Sequence, residues 1–422
     1  MSIRKLKKST KLVAVGTVAL LALSGCAISS DSSGDEEGTT TLTFWSYYQG
    51  TQADWLSAQV DEFEANNPDI KINVIETVGD QHDQKLLASV ATGSTPDLFI
   101  NNIVVDFQTL VSGNVMADLT PYWEEYADKD VYPEGTAWES DDKVYNLLPF
   151  TNLLGMYYNQ DILSEYGITE PPQTLDELEE AMATVTADGT YEGLALSGAP
   201  DVEGAWLFAP QLLGEGIDYC NFEGPKVDAA FERLSRWSTN GYIPLASATW
   251  DQNASWQQFM TGKYAFAFNG NWQLGNVQEA TFEYGTAPYP APKGGKSQVF
   301  PGGEGFAIGA ESKNADLAWQ FLEEAVLSAD ASENMFTASG SIPVRSDLAD
   351  APVLKDDELV QPFVAAAGDS ATWPNNENTA QMQSSLGEAV SAVISGQQNG
   401  AQGAESAIAD IEAAAEDGGG SC

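Results

Sequence analysis

Between Thr41 and Ile100, strand-like and helix-like patterns follow one another without a break. Thr41-Leu42-Thr43-Phe44-Trp45 is a short β-branched and aromatic run. Asp54 to Asn66 carries Trp55, Val60 and Phe63 at helical spacing and stops before Pro68. Ile70, Ile72 and Val74 alternate with polar residues. Asp83 to Thr92 reads as a helix ending at Gly93, and Asp97-Leu98-Phe99-Ile100 as a buried strand. Parallel neighbours need a crossover, usually helical, so a β-α-β-α-β order points to a mostly parallel sheet with helices on both faces.

The pattern resumes after residue 150. Leu154 to Tyr158 reads as a strand, and Thr174-Leu175-Asp176-Glu177 as a capping box opening a helix to about Val185. Phe231, Leu234 and Trp237 share a helix face, and Tyr264 to Phe268 is a strand. Asp316 to Leu327 is amphipathic. Met382, Leu386, Val390 and Val393 mark a further helix, and Ile408 with Ile411 a short last one. A chain of this size exceeds one comfortable core, so the two α/β blocks imply two lobes.

The first residues have a different character. Arg4, Lys5, Lys7, Lys8 and Lys11 precede an apolar run from Leu12 to Leu23, which leads to Leu23-Ser24-Gly25-Cys26. A basic start, about a dozen apolar residues and a small-residue break make a secretory signal peptide, too short to span a bilayer. The break at Cys26 is similar to that of bacterial lipoproteins. By that resemblance residues 1–25 are removed and Cys26 becomes a lipid-bearing N-terminus. Residues 26–39 are then a flexible Ser-, Gly- and acid-rich tether.

Charge and residue counts exclude several classes of function. Residues 1–25 hold five basic and no acidic residues; the remainder has 13 Lys and Arg against 62 Asp and Glu, a formal charge of −49. Such a chain repels nucleic-acid phosphates and favours a neutral or cationic ligand. His82 is the single histidine and reads as a solvated surface residue, which excludes a His-based triad or zinc site. Gly295-Lys296-Ser297 lacks the earlier P-loop glycine, since Pro290 stands there. Acid pairs occur by chance among 62 carboxylates and carry no weight for glycosidase chemistry. No metal and no cofactor are implied. With Cys26 lipidated, Cys220 and Cys422 remain to pair.

The positive signal is aromatic residues beside amides at strand ends. Phe44-Trp45-Ser46-Tyr47-Tyr48-Gln49-Gly50 closes the first strand and Asn101-Asn102 the third. Phe150-Thr151-Asn152 opens the 154–158 strand, and Asn269-Gly270-Asn271-Trp272 closes the 264–268 strand. Ligands of open α/β sheets bind beyond the carboxyl ends of strands. A flat ring offers its face to the C–H face of a sugar, while amides and carboxylates satisfy hydroxyls. Packing competes for each aromatic; Trp272, between strand end and loop, is the one favoured for ligand contact.

Thr92-Gly93-Ser94-Thr95-Pro96-Asp97-Leu98, Leu154-Gly155-Met156-Tyr157-Tyr158-Asn159-Gln160-Asp161, Gly262 to Trp272 and Gly302-Gly303-Glu304-Gly305-Phe306-Ala307-Ile308 together resemble the extracellular solute-binding proteins of carbohydrate ABC importers, the maltose-binding-protein-like group. The resemblance runs from about residue 40 to 350. It implies a two-lobed periplasmic-binding-protein-like α/β fold with sugar bound between the lobes. It divides the chain into a first lobe of 40–150 and 303–338, a second of 151–302 and 339–416, and a flexible tail of 417–422. It implies ligand contacts from Trp45, Tyr47, Asn101, Asn102, Asn152, Asn271, Trp272, Gly303 and Glu304. Arg345 joins them through the returning segment Ser341 to Arg345, a structural ion pair being the alternative. Trp206 and Trp373 are added from composition. The function implied is non-catalytic capture of a carbohydrate, an oligosaccharide for preference. The protein would act as a monomer at the outer face of the cell membrane, passing its ligand to a permease and its ATPase. Two alternatives stand beside it: a binder of a cationic solute or peptide, and a surface glycoside hydrolase.

Overall fold

The computed structural model describes residues 38–419 apart from 134 and 375. The leader, Cys26, most of the tether and Cys422 lie outside the described residues. Within them the strands run, in chain order, β1 (Thr40–Ser46), β2 (Ile70–Glu76), β3 (Leu98–Asn102), β4 (Ala137–Ser140), β5 (Lys143–Leu147), β6 (Phe150–Thr151), β7 (Leu154–Asn159), β8 (Glu192–Ala195), β9 (Tyr264–Gly270), β10 (Tyr284–Pro288), β11 (Glu304–Ile308) and β12 (Ile342–Pro343).

Two sheets organise two lobes. The first has the order β2-β1-β3-β11-β5-β4, the second β10-β7-β9-β8. The opening succession behaves as its spacing implies: β2 and β3 both pair parallel to β1, connected through the helices Gly50–Asn66 and His82–Thr92. The sheets are nevertheless mixed, not mostly parallel. β11 enters the first sheet antiparallel to β3, and β7 runs antiparallel to both β10 and β9. A strand arriving from the other lobe need not follow the local crossover rule, so no short-range pattern announces its direction. A hairpin, β4 to β5, completes the first sheet. Its two-residue turn, Asp141-Asp142, has φ of 50° and 59°, the left-handed pair that a tight hairpin demands.

Each lobe buries its own core. Leu42, Phe44, Trp55, Phe63, Phe306 and Phe321 centre the first, and Tyr157, Phe208, Phe231, Trp237, Phe259 and Phe268 the second. Burying one such side chain contributes about 1.5–3 kcal/mol. The capping box at Thr174 forms as its spacing implies, with Thr174 accepting from the Glu177 N–H and Glu177 reaching back to the Thr174 N–H. The last helix is longer than expected, Gly400–Asp417, opened by a second capping box between Asn399 and Gln402. Alanine, the strongest helix former, carries it past the two isoleucines. It packs with the helix Thr379–Ile394 on the second lobe. No described helix is long and apolar enough to cross a membrane.

His82 is buried, not solvated. It is 1% exposed, with Nε2 2.6 Å from the Ile100 carbonyl oxygen and Nδ1 2.5 Å from the Thr77 hydroxyl. The carbonyl requires a proton on Nε2, which leaves Nδ1 to accept from Thr77. Burial holds this imidazole below its ordinary pKa, and therefore neutral. Cys220 is disulfide-bonded.

Replacing Thr174 by Ala removes one N-cap bond and is predicted to destabilise the protein by about 1 kcal/mol. Denaturant unfolding should show a lower midpoint and an unchanged slope.

Candidate ligand-binding site

The lobes are joined where three segments cross. β6 pairs with β12, and Asn152 bridges to Gly302, with N–H to carbonyl distances of 2.9 and 2.7 Å in the two directions. Asn271 fastens these segments together. Its side-chain oxygen accepts from the Leu153 N–H at 2.6 Å; its amide donates to the Gly340 carbonyl at 2.7 Å and toward the Asn152 side chain at 3.4 Å. Asn152 in turn donates to the Glu304 carboxylate at 3.2 Å. Gly303 sits between with φ of 147°, a conformation that suits glycine.

Aromatic rings line the second-lobe side. Trp272 follows β9, and its ring folds back over Gly270 so closely that a Cβ there would lie 1.7 Å from it. Trp206, on the helix Val202–Phe208, stacks against Trp272 with centroids 5.5 Å apart and planes 16° apart. The edge of Trp206 rests on Gly302, where a Cβ would approach to 2.6 Å. Both rings are half-buried, and the Trp206 indole N–H is a buried donor with no hydrogen-bond partner.

On the first lobe, Tyr47 stands just past β1. Its ring meets His82 edge-on at 5.1 Å, so the buried imidazole is its pedestal. Burial raises the Tyr47 hydroxyl pKa well above the ordinary value, and Glu304, Asp106 and Glu203 add to the rise. Glu304 and Asp106 belong to the first lobe; Glu203 stands one helical turn before Trp206 in the second. The tyrosine thus lies among carboxylates from both sides. Asn102 ends β3 directly opposite Glu304, and its N–H donates to Asp106 at 3.1 Å. Glu304 retains partial contact with solvent yet is surrounded by protein. Burial pushes its carboxyl up to about 7, against the opposing hydrogen bond from Asn152. Asp106 is likewise pushed up to about 7, by burial and then by Asp83. At neutral pH both groups therefore populate the protonated form and can donate as well as accept.

The structure joins Tyr47, Asn102, Asn152, Trp206, Asn271, Trp272, Gly303 and Glu304 into one continuous constellation. Asn271 enters it as a brace, being fully buried. Four expected residues are engaged by other protein partners. Trp45 packs on the small cluster containing Phe99, Ile103 and Phe107. Asn101 is fully buried and accepts from Asn146 at 2.5 Å. Trp373 stacks on Phe300 at 4.0 Å and donates to the Pro301 carbonyl. Arg345, its side chain 3% exposed, is held by both oxygens of Asp347, by Asp128 and by the Leu327 carbonyl, over the ring of Tyr132. The ion-pair alternative is the one realised. Sequence reasoning missed Asp106, Glu203 and His82. Glu203, three residues before Trp206 on one helix, had a readable signal in that spacing.

Glu304 ties stability to pH. The folded chain holds this proton more tightly than the unfolded one, whose carboxyl titrates near 4.5. The stabilising contribution is complete below that value and is lost as pH rises through about 7. Glu304→Gln should match the parent near pH ~5 and exceed it by about 1–3 kcal/mol near pH ~8. Thermal melts across that range test it; parallel declines in both proteins contradict it. Arg345→Ala should lower stability by about 1–3 kcal/mol while leaving ligand affinity unchanged, because it empties a buried position and leaves the Leu327 carbonyl without this donor, while Asp128 and Asp347 stay open to water.

The sequence from 58 to 362 matches the family model described as bacterial extracellular solute-binding protein. The maltotriose-binding protein of Pyrococcus abyssi is 26% identical over 368 residues, covering 81% of this chain and 74% of that one. The diacetylchitobiose-binding protein DasA of Streptomyces coelicolor is 26% identical over 395 residues, covering 87% and 89%. Among solved structures, maltose-bound MalE3 of T. maritima superposes with a TM-score of 0.79 at 21% identity, covering 88% of this chain and 99% of that one. The maltotriose-binding protein of Thermus thermophilus gives 0.74 at 22%, covering 88% and 99%. The match spans well over half the chain, and the chain belongs to the bacterial extracellular solute-binding protein family.

Proposed function

We propose that this protein captures a neutral oligosaccharide outside the cell, between its two lobes, and hands it intact to an ABC permease driven by its ATPase. One observation carries the reading: the stacked Trp206 and Trp272 rings, with an unpaired indole N–H, stand at the same crossing as Glu304 and Asn152. A sugar needs both a flat apolar face and groups that satisfy hydroxyls. The buried indole N–H is a donor that a sugar hydroxyl can satisfy. The maltotriose-, diacetylchitobiose- and arabinooligosaccharide-binding relatives support an oligosaccharide. Tyr47, Asn102, Asn152, Trp206, Trp272, Gly303 and Glu304 are the proposed contacts. Lipid on Cys26 would tether a monomeric receptor beside its permease and raise the local concentration.

A second reading, a cationic solute, draws on the carboxylates around Tyr47. Burial penalises the charged forms of Glu304 and Asp106, which favours the neutral ligand over an ammonium group. Lobe closure would add contacts made only in the closed form, so ligand shifts the population toward it.

Calorimetric titration against neutral oligosaccharides should show binding near micromolar Kd, roughly −8 kcal/mol. At a hundredfold excess over Kd the ligand should stabilise the fold by about 2.7 kcal/mol, raising Tm. No reducing ends should appear. Trp272→Ala should weaken binding at least tenfold and, because the ring also packs on Trp206, lower stability by about 1–2 kcal/mol. Unchanged affinity with the same stability loss would make Trp272 a packing residue only.

A further inference from the structure

His82 is the single histidine of the chain and opens the helix His82–Thr92 among polar neighbours, Gln81, Asp83 and Gln84. Its ring is nevertheless buried, and it is bonded where three strands stop. Nε2 meets the Ile100 carbonyl at 2.6 Å, two residues before Asn102 ends β3. Nδ1 meets the hydroxyl of Thr77 at 2.5 Å, and Thr77 is the first residue after β2.

Thr77 carries the connection on to β1. Its N–H donates to the Ser46 carbonyl at 2.9 Å, and its hydroxyl lies 3.3 Å from the same oxygen. Ser46 is the last residue of β1, and Tyr47 follows it. The Ser46 hydroxyl accepts from the Tyr48 N–H at 3.1 Å. The paired register of β1 and β3 ends at Trp45 and Phe99. One residue beyond that last rung, Thr77 and the imidazole join the two strands instead. The same ring supports Tyr47 edge-on, with planes 78° apart. A binding group keeps its place only when the residues beneath it are themselves fixed. A fully paired buried network allows one arrangement, and a member without its partner is strongly unfavourable. Neutral imidazole supplies one donor and one acceptor; an apolar side chain supplies neither, and glutamine supplies both.

We propose that His82 is a positioning residue for ligand capture, tying together the strand ends that carry Tyr47 and Asn102. The ligand half of this statement rests on the interlobe site of the proposed function. The tie itself does not.

The test uses the whole protein and the variants His82→Leu, His82→Gln and Thr77→Val. Ser89→Ala is the control, a buried hydroxyl on the same helix that donates to the Leu86 carbonyl at 2.6 Å. Calorimetric titration with maltotriose, and with diacetylchitobiose as a second probe, is run well below each melting midpoint. His82→Leu should weaken binding roughly tenfold or more and Thr77→Val roughly threefold, while His82→Gln stays within about threefold of the parent and Ser89→Ala within about twofold. Hydrogen exchange without sugar reads the tie directly at the amides of Tyr48, Thr77 and Asn102. Protection there should fall roughly tenfold in His82→Leu, recover in His82→Gln and stay unchanged in Ser89→Ala. The 15N spectrum of the parent holds one imidazole, which should carry its proton on Nε2.

Affinity in His82→Leu equal to that of the parent overturns the proposal, even with a lowered melting midpoint, because the histidine would then serve packing alone. Equal losses in His82→Leu and Ser89→Ala overturn it too, as does a ring proton on Nδ1 in place of Nε2. If His82→Leu does not fold, Thr77→Val and His82→Gln decide by the same limits. A parent that binds neither sugar contradicts the proposed function; exchange then decides the tie, and unchanged protection in His82→Leu or Thr77→Val overturns it.

Discussion

Asn271 is the residue on which the geometry of the interlobe site rests. Its amide is fully buried where the chain crosses between the lobes, and it bonds to segments near residues 153, 152 and 340 at once. A buried amide with its partners in place fixes one arrangement, whereas the same amide left unpaired is strongly unfavourable. That fixes the neighbours of Asn271 as well. Trp272 follows it directly and is turned back over Gly270; Asn152, its hydrogen-bond partner, orients Glu304. One bracket therefore positions both the apolar face and the polar partners of the site.

The electrostatics follow from where the carboxylates sit. This is a strongly acidic chain, yet the two acids closest to the chemistry, Glu304 and Asp106, are shifted toward neutrality by burial. A protonated carboxyl is both donor and acceptor, which suits hydroxyl groups better than a fixed anion does.

Much of the fold was legible because its signals are local. Helix spacing, the Thr174 capping box and the parallel start β1-β2-β3 all depend on residues close in sequence. The constellation was partly legible for the same reason: aromatics and amides at the ends of β1, β3 and β9 mark the face where strands stop. What escaped depends on distant partners. His82 sits in a polar stretch, and its ring is taken up by the Ile100 carbonyl on β3, a partner that the local pattern does not announce. Arg345 is held by Asp347, two residues on, the ion pair that the sequence offered as an alternative, and also by Asp128, more than two hundred residues earlier in the chain. The antiparallel entry of β11 depends on a strand returning from the other lobe. Trp373 has the composition of a cleft residue but finds Phe300 and the Pro301 carbonyl instead.

The most direct measurement is a crystal structure of the protein with its tightest-binding neutral oligosaccharide. The account predicts a sugar ring laid against the Trp206–Trp272 face, with hydroxyls within hydrogen-bond distance of Glu304 and of the Trp206 indole nitrogen. Density for the glycan elsewhere on the protein, or between the lobes without contact to either indole, would contradict it.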